Sequence, residues 1–141
     1  MTAKLILVRG LPGSGKSTFC RSVMTDMDRH LEADMYFSAG GTYKFDTKFL
    51  GAAHQWCQDQ TVRALSNGIT TFVSNTFTTA RELRPYLEIA YDCKVGQPFV
   101  VTMGAKFDSV HNVPKETYDK MRDRFQFDIS HLYTEDYGYG E

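Results

Sequence analysis

The chain has 141 residues, enough for one domain with a real core and too few for two folded enzyme domains. Sixteen Lys and Arg against 17 Asp and Glu leave a net charge of -1, so no global basic field draws in nucleic acid, and a polynucleotide would need a local patch. Cys20, Cys57 and Cys93 are widely spaced, with no C-x-x-C pair and no histidine at zinc spacing, which fits a reduced, cytoplasmic protein.

The apolar run Leu5 to Val8 is far shorter than a signal peptide core or a membrane span, and reads as a first strand. No membrane partner is expected. Directly after it, Gly10-Leu11-Pro12-Gly13-Ser14-Gly15-Lys16-Ser17 spells G-x-x-x-x-G-K-[ST], the pattern of a phosphate-binding loop. The glycines at 10, 13 and 15 let successive backbone N–H groups turn inward on Ser14 and its neighbours as a nest for phosphate oxygens. Lys16 can reach the β and γ phosphates, and Ser17 can place its hydroxyl on Mg²⁺. A helix from about Lys16 to Asp28 would aim its positive end at the same anion, with Phe19, Cys20 and Val23 buried. ATP and Mg²⁺ are therefore the expected ligands.

A weak second strand is expected near Ala33 to Phe37, a third at Ile69 to Ser74 and a fourth at Pro98 to Met103. Alternation of these with helices predicts an α/β fold, a three-layer P-loop sandwich with a small, mostly parallel sheet of four to five strands. After Gly40-Gly41, Asp46 can cap a long helix to about Ser66, with Phe49, Ala53, Trp56, Gln60 and Ala64 at helical spacing and Asn67-Gly68 as its stop. Thr79 to Glu82 fits a capping box, although Pro85 would interrupt that helix or mark its true start. Pro114 can open a final helix carrying Tyr118, Met121 and Phe125 along one face. Residues 1–126 then form the domain, and 127–141, rich in Tyr, Asp and Gly, form a docked or mobile tail.

Acceptor chemistry belongs at the carboxyl ends of the strands, where open α/β sheets bind ligands. Asp34, at the expected end of the second strand, could face the γ-phosphate and take a proton from an attacking hydroxyl; a solvated turn aspartate is the alternative. Ser74-Asn75-Thr76 closes the third strand without a metal-organising Asp, so Mg²⁺ would rest on Ser17, phosphate oxygens and water. Thr76 or Asn75 could bind substrate, or only satisfy nearby backbone groups. Arg81 and Arg84 could grip a substrate phosphate bidentately, or line a solvated helix face. His111 lies in a loop that could cover ATP, or is a surface imidazole.

Several strings resemble the P-loop kinase family of polynucleotide 5′-hydroxyl kinases and their relatives. Leu11 to Thr18 is similar to its P-loop, which adds Thr18 to the nucleotide-binding set, and Ala33-Asp34-Met35-Tyr36-Phe37 resembles its D-D-Y-F segment with the first Asp kept. Tyr43-Lys44-Phe45-Asp46 and Leu50-Gly51-Ala52-Ala53-His54-Gln55-Trp56 resemble the Y-x-F-D and L-G-x-A-H-x-W strings of one eukaryotic and phage branch. Asn75-Thr76 matches a strand-end N-T, and His111 to Glu116 an H-G-V-P-K-E.

The resemblance, spanning most of Lys4 to Phe125, implies that Lys16 and Ser17 hold ATP and Mg²⁺ and that Asp34 is general base toward a 5′-hydroxyl. It departs in the lid, shortened to Gly104-Ala105-Lys106-Phe107-Asp108-Ser109-Val110 without arginine, at Phe37, where phage kinases can carry an acceptor-binding Arg, and at Phe77, where relatives usually have Asn. The leading expectation is an ATP-dependent phosphotransferase acting on a polynucleotide 5′ end or a nucleoside-like hydroxyl. The alternatives are a nucleotide-binding module or slow ATPase that works through a protein partner, and an oligomer whose neighbouring subunit supplies the arginine.

Overall fold

The computed structural model describes residues 3–38, 40–104 and 113–134. The chain runs β1 (Leu5–Arg9), α1 (Lys16–Val23), β2 (Arg29–Leu31), α2 (Leu50–Ser66), β3 (Thr71–Asn75), α3 (Ala80–Asp92), β4 (Phe99–Thr102) and α4 (Lys115–Arg124), with short 3-10 helices at Ala33–Ser38, Thr47–Phe49 and Ser130–Thr134. The four strands form one parallel sheet in the order β2-β3-β1-β4, with Leu5 opposite Thr71 and Ile6 opposite Phe99. No helix among the described residues is long and apolar enough to cross a membrane.

Side-chain alternation along the central strands divides the core. Leu5, Leu7 and Val73 face the larger cluster with Ala53, Cys57, Leu83 and Leu87, under α2 and α3. Val8 and Phe72 face Cys20 of α1, joined by Ile6, Phe19 and Met24. Covered on both faces, β1 reads as an unbroken apolar run, as parallel strands do. The chain leaves β1 toward β2 on one side and leaves β3 toward β4 on the other. The β1–β3 crevice is therefore the sheet's switch point, where open α/β sheets bind ligands.

Several boundaries differ from the expectations for physical reasons. The second strand lies at Arg29–Leu31, not at 33–37. Beyond Leu31, the Asn75 side chain takes the next amide, with Ala33 N–H donating to Asn75 Oδ1 at 2.9 Å, and the chain turns into a 3-10 helix that carries Asp34. Asp34 is thus not a strand-end residue. Helix α1 stops at Val23, which is 50% exposed rather than core. Asp46 caps the 3-10 turn before α2, accepting from Lys48 N–H at 3.1 Å, and Phe49 is exposed. The Thr79–Glu82 capping box opens α3, which runs through Pro85 because the box and the buried Leu83, Tyr86, Leu87 and Ala90 hold it across one missing hydrogen bond. In α4 no residue is buried, but past it Phe125, Ile129 and Leu132 are.

Candidate functional site

Loop geometry follows from the glycines. Gly13 and Gly15 have φ of 80° and 88°, the left-handed region that side chains disfavour. At Gly10 the constraint is space, since a Cβ there would lie 2.4 Å from Ser14 Oγ and 3.1 Å from the Met103 carbonyl oxygen. Among the described residues Ser14 Oγ is buried without a hydrogen-bond partner, in the loop itself. Such an orphan costs about 1–3 kcal/mol, which a phosphate oxygen would relieve. Gly10 N–H also donates to the Thr76 carbonyl at 3.2 Å, tying the loop to the end of β3 across the switch point.

Lys16 opens α1 and donates from Nζ to the Leu11 carbonyl at 3.0 Å, bending back over the loop. Burial lowers its pKa, and the Glu32 carboxylate opposes that shift. A triphosphate would oppose it further. Thr18, two residues along, is exposed.

Glu32, which sequence spacing does not single out, organises the other half of the site. Ser17 Oγ donates to Glu32 Oε2, and Ser74 Oγ donates to the same oxygen at 2.8 Å. Because that bond uses the only Ser74 hydroxyl proton, the 2.7 Å contact to His30 Nε2 makes the imidazole the donor. His30 is held below the usual histidine range, first by burial, with Glu32 pulling the other way and Arg21 adding to the depression. It therefore stays neutral near pH 7. The legible signal for Glu32 was an acidic residue directly after a strand, hidden by placing that strand four residues too late.

With its proton on Glu32, Ser17 Oγ keeps its lone pairs for a cation. The described residues contain no group of three or more His, Cys, Asp or Glu able to hold a metal. An ion here would complete its shell with phosphate oxygens and water, which suits Mg²⁺.

Asp34, two residues past Glu32, is exposed and accepts from the Tyr43 hydroxyl at 2.8 Å. Thr76 is half-buried at the end of β3, where Asn75 is occupied by Ala33 N–H. Arg81 is exposed and Arg84 half-buried in the first turns of α3. His111 and, apart from Gly104, the lid segment lie outside the described residues. At the same rim Arg124 Nε donates to Thr78 Oγ1 at 3.0 Å, bringing a cation of α4 to the segment after β3.

Residues 5–102, from the first strand to the last, match the family described as the AAA domain. The chain belongs to that family. This AAA domain is 34% identical over 137 residues to NEDD4-binding protein 2 of Homo sapiens, an alignment that covers 89% of the chain but 8% of that protein. In fold it is similar to a chain of the Pnkp1/Rnl/Hen1 RNA repair complex, with a TM-score of 0.71 and 16% identity over 96% of this chain and 47% of the other. It is also similar to the APS kinase CysC of Mycobacterium tuberculosis, with a TM-score of 0.56 and 13% identity over 95% and 99% of the two chains. At such identities the likeness is one of fold, and the fold is P-loop kinase-like. The AAA domain here is a nucleotide-binding module of that kind.

Proposed function

We propose that the domain transfers the γ-phosphoryl group of ATP to a hydroxyl, that of a polynucleotide 5′ end or a nucleoside-like acceptor. One observation carries this reading: the Ser17–Glu32 contact draws the segment after β2 against the phosphate loop, and two residues later that segment presents an exposed carboxylate, Asp34. The fold neighbours differ, one a chain of an RNA repair complex and the other an APS kinase, so the acceptor must be argued from the site's own chemistry.

In this mechanism the loop amides and Lys16 hold the triphosphate and offset its charge. Mg²⁺, held by Ser17 with Glu32 behind it, would neutralise charge on the phosphate oxygens. Asp34 orients the acceptor hydroxyl and takes its proton as the oxygen forms a bond to the γ-phosphorus. The bond from that phosphorus to the β-bridging oxygen breaks, and ADP leaves with the electron pair. Thr76, Arg81 and Arg84, at the end of β3 and the start of α3, are proposed to contact the acceptor. Thr18 and His111 are proposed for ATP.

The test is incubation with γ-labelled ATP, Mg²⁺ and a panel of acceptors: 5′-hydroxyl DNA and RNA oligonucleotides, nucleosides, and water alone. Label on an oligonucleotide or nucleoside supports the proposal. ATP binding with label released only as inorganic phosphate, or not at all, would replace it with a nucleotide-binding module or ATPase.

A further inference from the structure

The segment Tyr43-Lys44-Phe45-Asp46-Thr47-Lys48-Phe49 sets rings at 43, 45 and 49 with Lys44 and Lys48 between them, and its rings are open to solvent: Tyr43 is 49%, Phe45 49% and Phe49 44% exposed. Large rings in such a short segment are normally buried, yet these stand on a buried support. Phe45 lies 5.0 Å from Phe37 at 59°, and Tyr43 lies 6.4 Å from Phe37 at 79°. Phe37 is buried and packs edge-on against Tyr36 at 5.5 Å, which in turn meets Trp56 of α2 at 6.3 Å. Lys44 N–H donates to the Phe37 carbonyl at 2.9 Å, fixing the segment to the 3-10 helix that carries Asp34. The Tyr43 hydroxyl then closes on Asp34 itself.

Ring faces, ammonium groups and a candidate base thus share one rim. We infer that Tyr43 and Phe45 form a stacking platform for the 5′-terminal nucleobase of a single-stranded polynucleotide whose 5′-hydroxyl meets Asp34. The inference rests on the proposed transfer and names its acceptor class. Rings interleaved with Lys44 and Lys48 match a strand that alternates π-faces with phosphates, and a domain of net charge -1 needs such local cations to hold one. Lys48 already leans over Phe49 at 5.3 Å and approaches Asp46 at 4.0 Å, so phosphate contacts are few and stacking supplies most of the affinity. Two lysines limit the slope of log affinity against log salt to about 1.4 at most.

The experiment uses a 5′-hydroxyl oligonucleotide with 2-aminopurine as its first base, titrated with the full chain. Stacking quenches the fluorophore. Phe45→Ala, and an oligonucleotide with an abasic first position measured as a competitor of the labelled strand, should each weaken binding about fivefold or more, with KM for transfer rising and kcat nearly unchanged. Phe45→Leu keeps apolar bulk without the ring and should bind as poorly as Phe45→Ala, whereas Phe45→Trp should recover affinity. Circular dichroism melting checks that each variant folds. Equal affinities for parent, Phe45→Ala and abasic ligand, in a protein that still transfers phosphate, would overturn the platform and leave the transferase standing. Quenching that depends on Phe45 without transfer to any acceptor would retain the platform and sink the transferase. Self-association abolished by Phe45→Ala, with no quenching by the parent protein, would assign the rings to a protein interface and overturn the inference.

Discussion

At the scale of single residues, the site turns on two carboxylates two positions apart with different surroundings. Glu32 accepts from Ser17 and Ser74, whereas Asp34 stands exposed with the Tyr43 hydroxyl as donor. Partial desolvation and the Asp34 carboxylate push the Tyr43 phenol up to about 12, so it remains a donor throughout the neutral range. Replacing Glu32 by Gln removes the charge behind Ser17 and adds a donor to a position that receives two. The expected outcome is a loss of Mg²⁺-dependent ATP affinity of tenfold or more by calorimetry, with metal-free binding changed far less. His30 provides a pH signature. Its pKa is depressed in the folded protein, so its neutral form stabilises the fold at pH above the unfolded value, near 6.5, and that contribution is lost as pH falls toward the folded value. Thermal melts of the parent should drop between pH 7 and 5 more steeply than those of His30→Gln. Equal slopes would remove His30 from the account.

At the scale of elements, long periodic segments were legible and short edges were not. The phosphate loop, α2 and the α3 capping box rest on local patterns that packing did not overrule. Strand β2 has only three residues, Arg29 to Leu31, too few for a period to show, and its end is set by the Asn75 side chain from another strand. For the same reason Glu32 was hidden: its partners Ser17 and Ser74 lie 15 and 42 residues away in sequence. Arg9 is a second long-range device. Fully buried at the end of β1, it donates to the carbonyls of Phe77 at 3.0 Å, Thr78 at 3.4 Å and Gln126 at 2.5 Å, with Phe125 at 4.3 Å from its guanidinium carbon. It joins the strand that feeds the phosphate loop to the chain on both sides of α3 and α4. Arg9→Met keeps the volume but strands those carbonyls, and should cost at least about 3 kcal/mol in urea unfolding. Thr79→Ala, which removes the cap together with the 3.3 Å contact to Glu82 Oε2, should cost about 1 kcal/mol in the same assay.

At the scale of the whole molecule, a small parallel sheet gathers described candidate groups at its carboxyl rim: the loop after β1, Glu32 and Asp34 after β2, and Ser74 to Thr78 at the end of β3 and after it. Binding there should stabilise the entire fold, by about 2.7 kcal/mol when Mg²⁺·ATP is at a hundred times its dissociation constant. In Lys16→Ala the melting shift with ATP should disappear while the melt without nucleotide stays close to the parent, because among the described residues the Lys16 ammonium hydrogen-bonds to its own loop, at the Leu11 carbonyl. The central claim, that Asp34 serves a phosphoryl transfer at this loop, is tested most directly by Asp34→Asn, which keeps shape and removes the base. Single-turnover transfer from γ-labelled ATP to a 5′-hydroxyl oligonucleotide should fall about 10²-fold or more in that variant, with ATP affinity unchanged. Transfer at the parent rate would contradict the account.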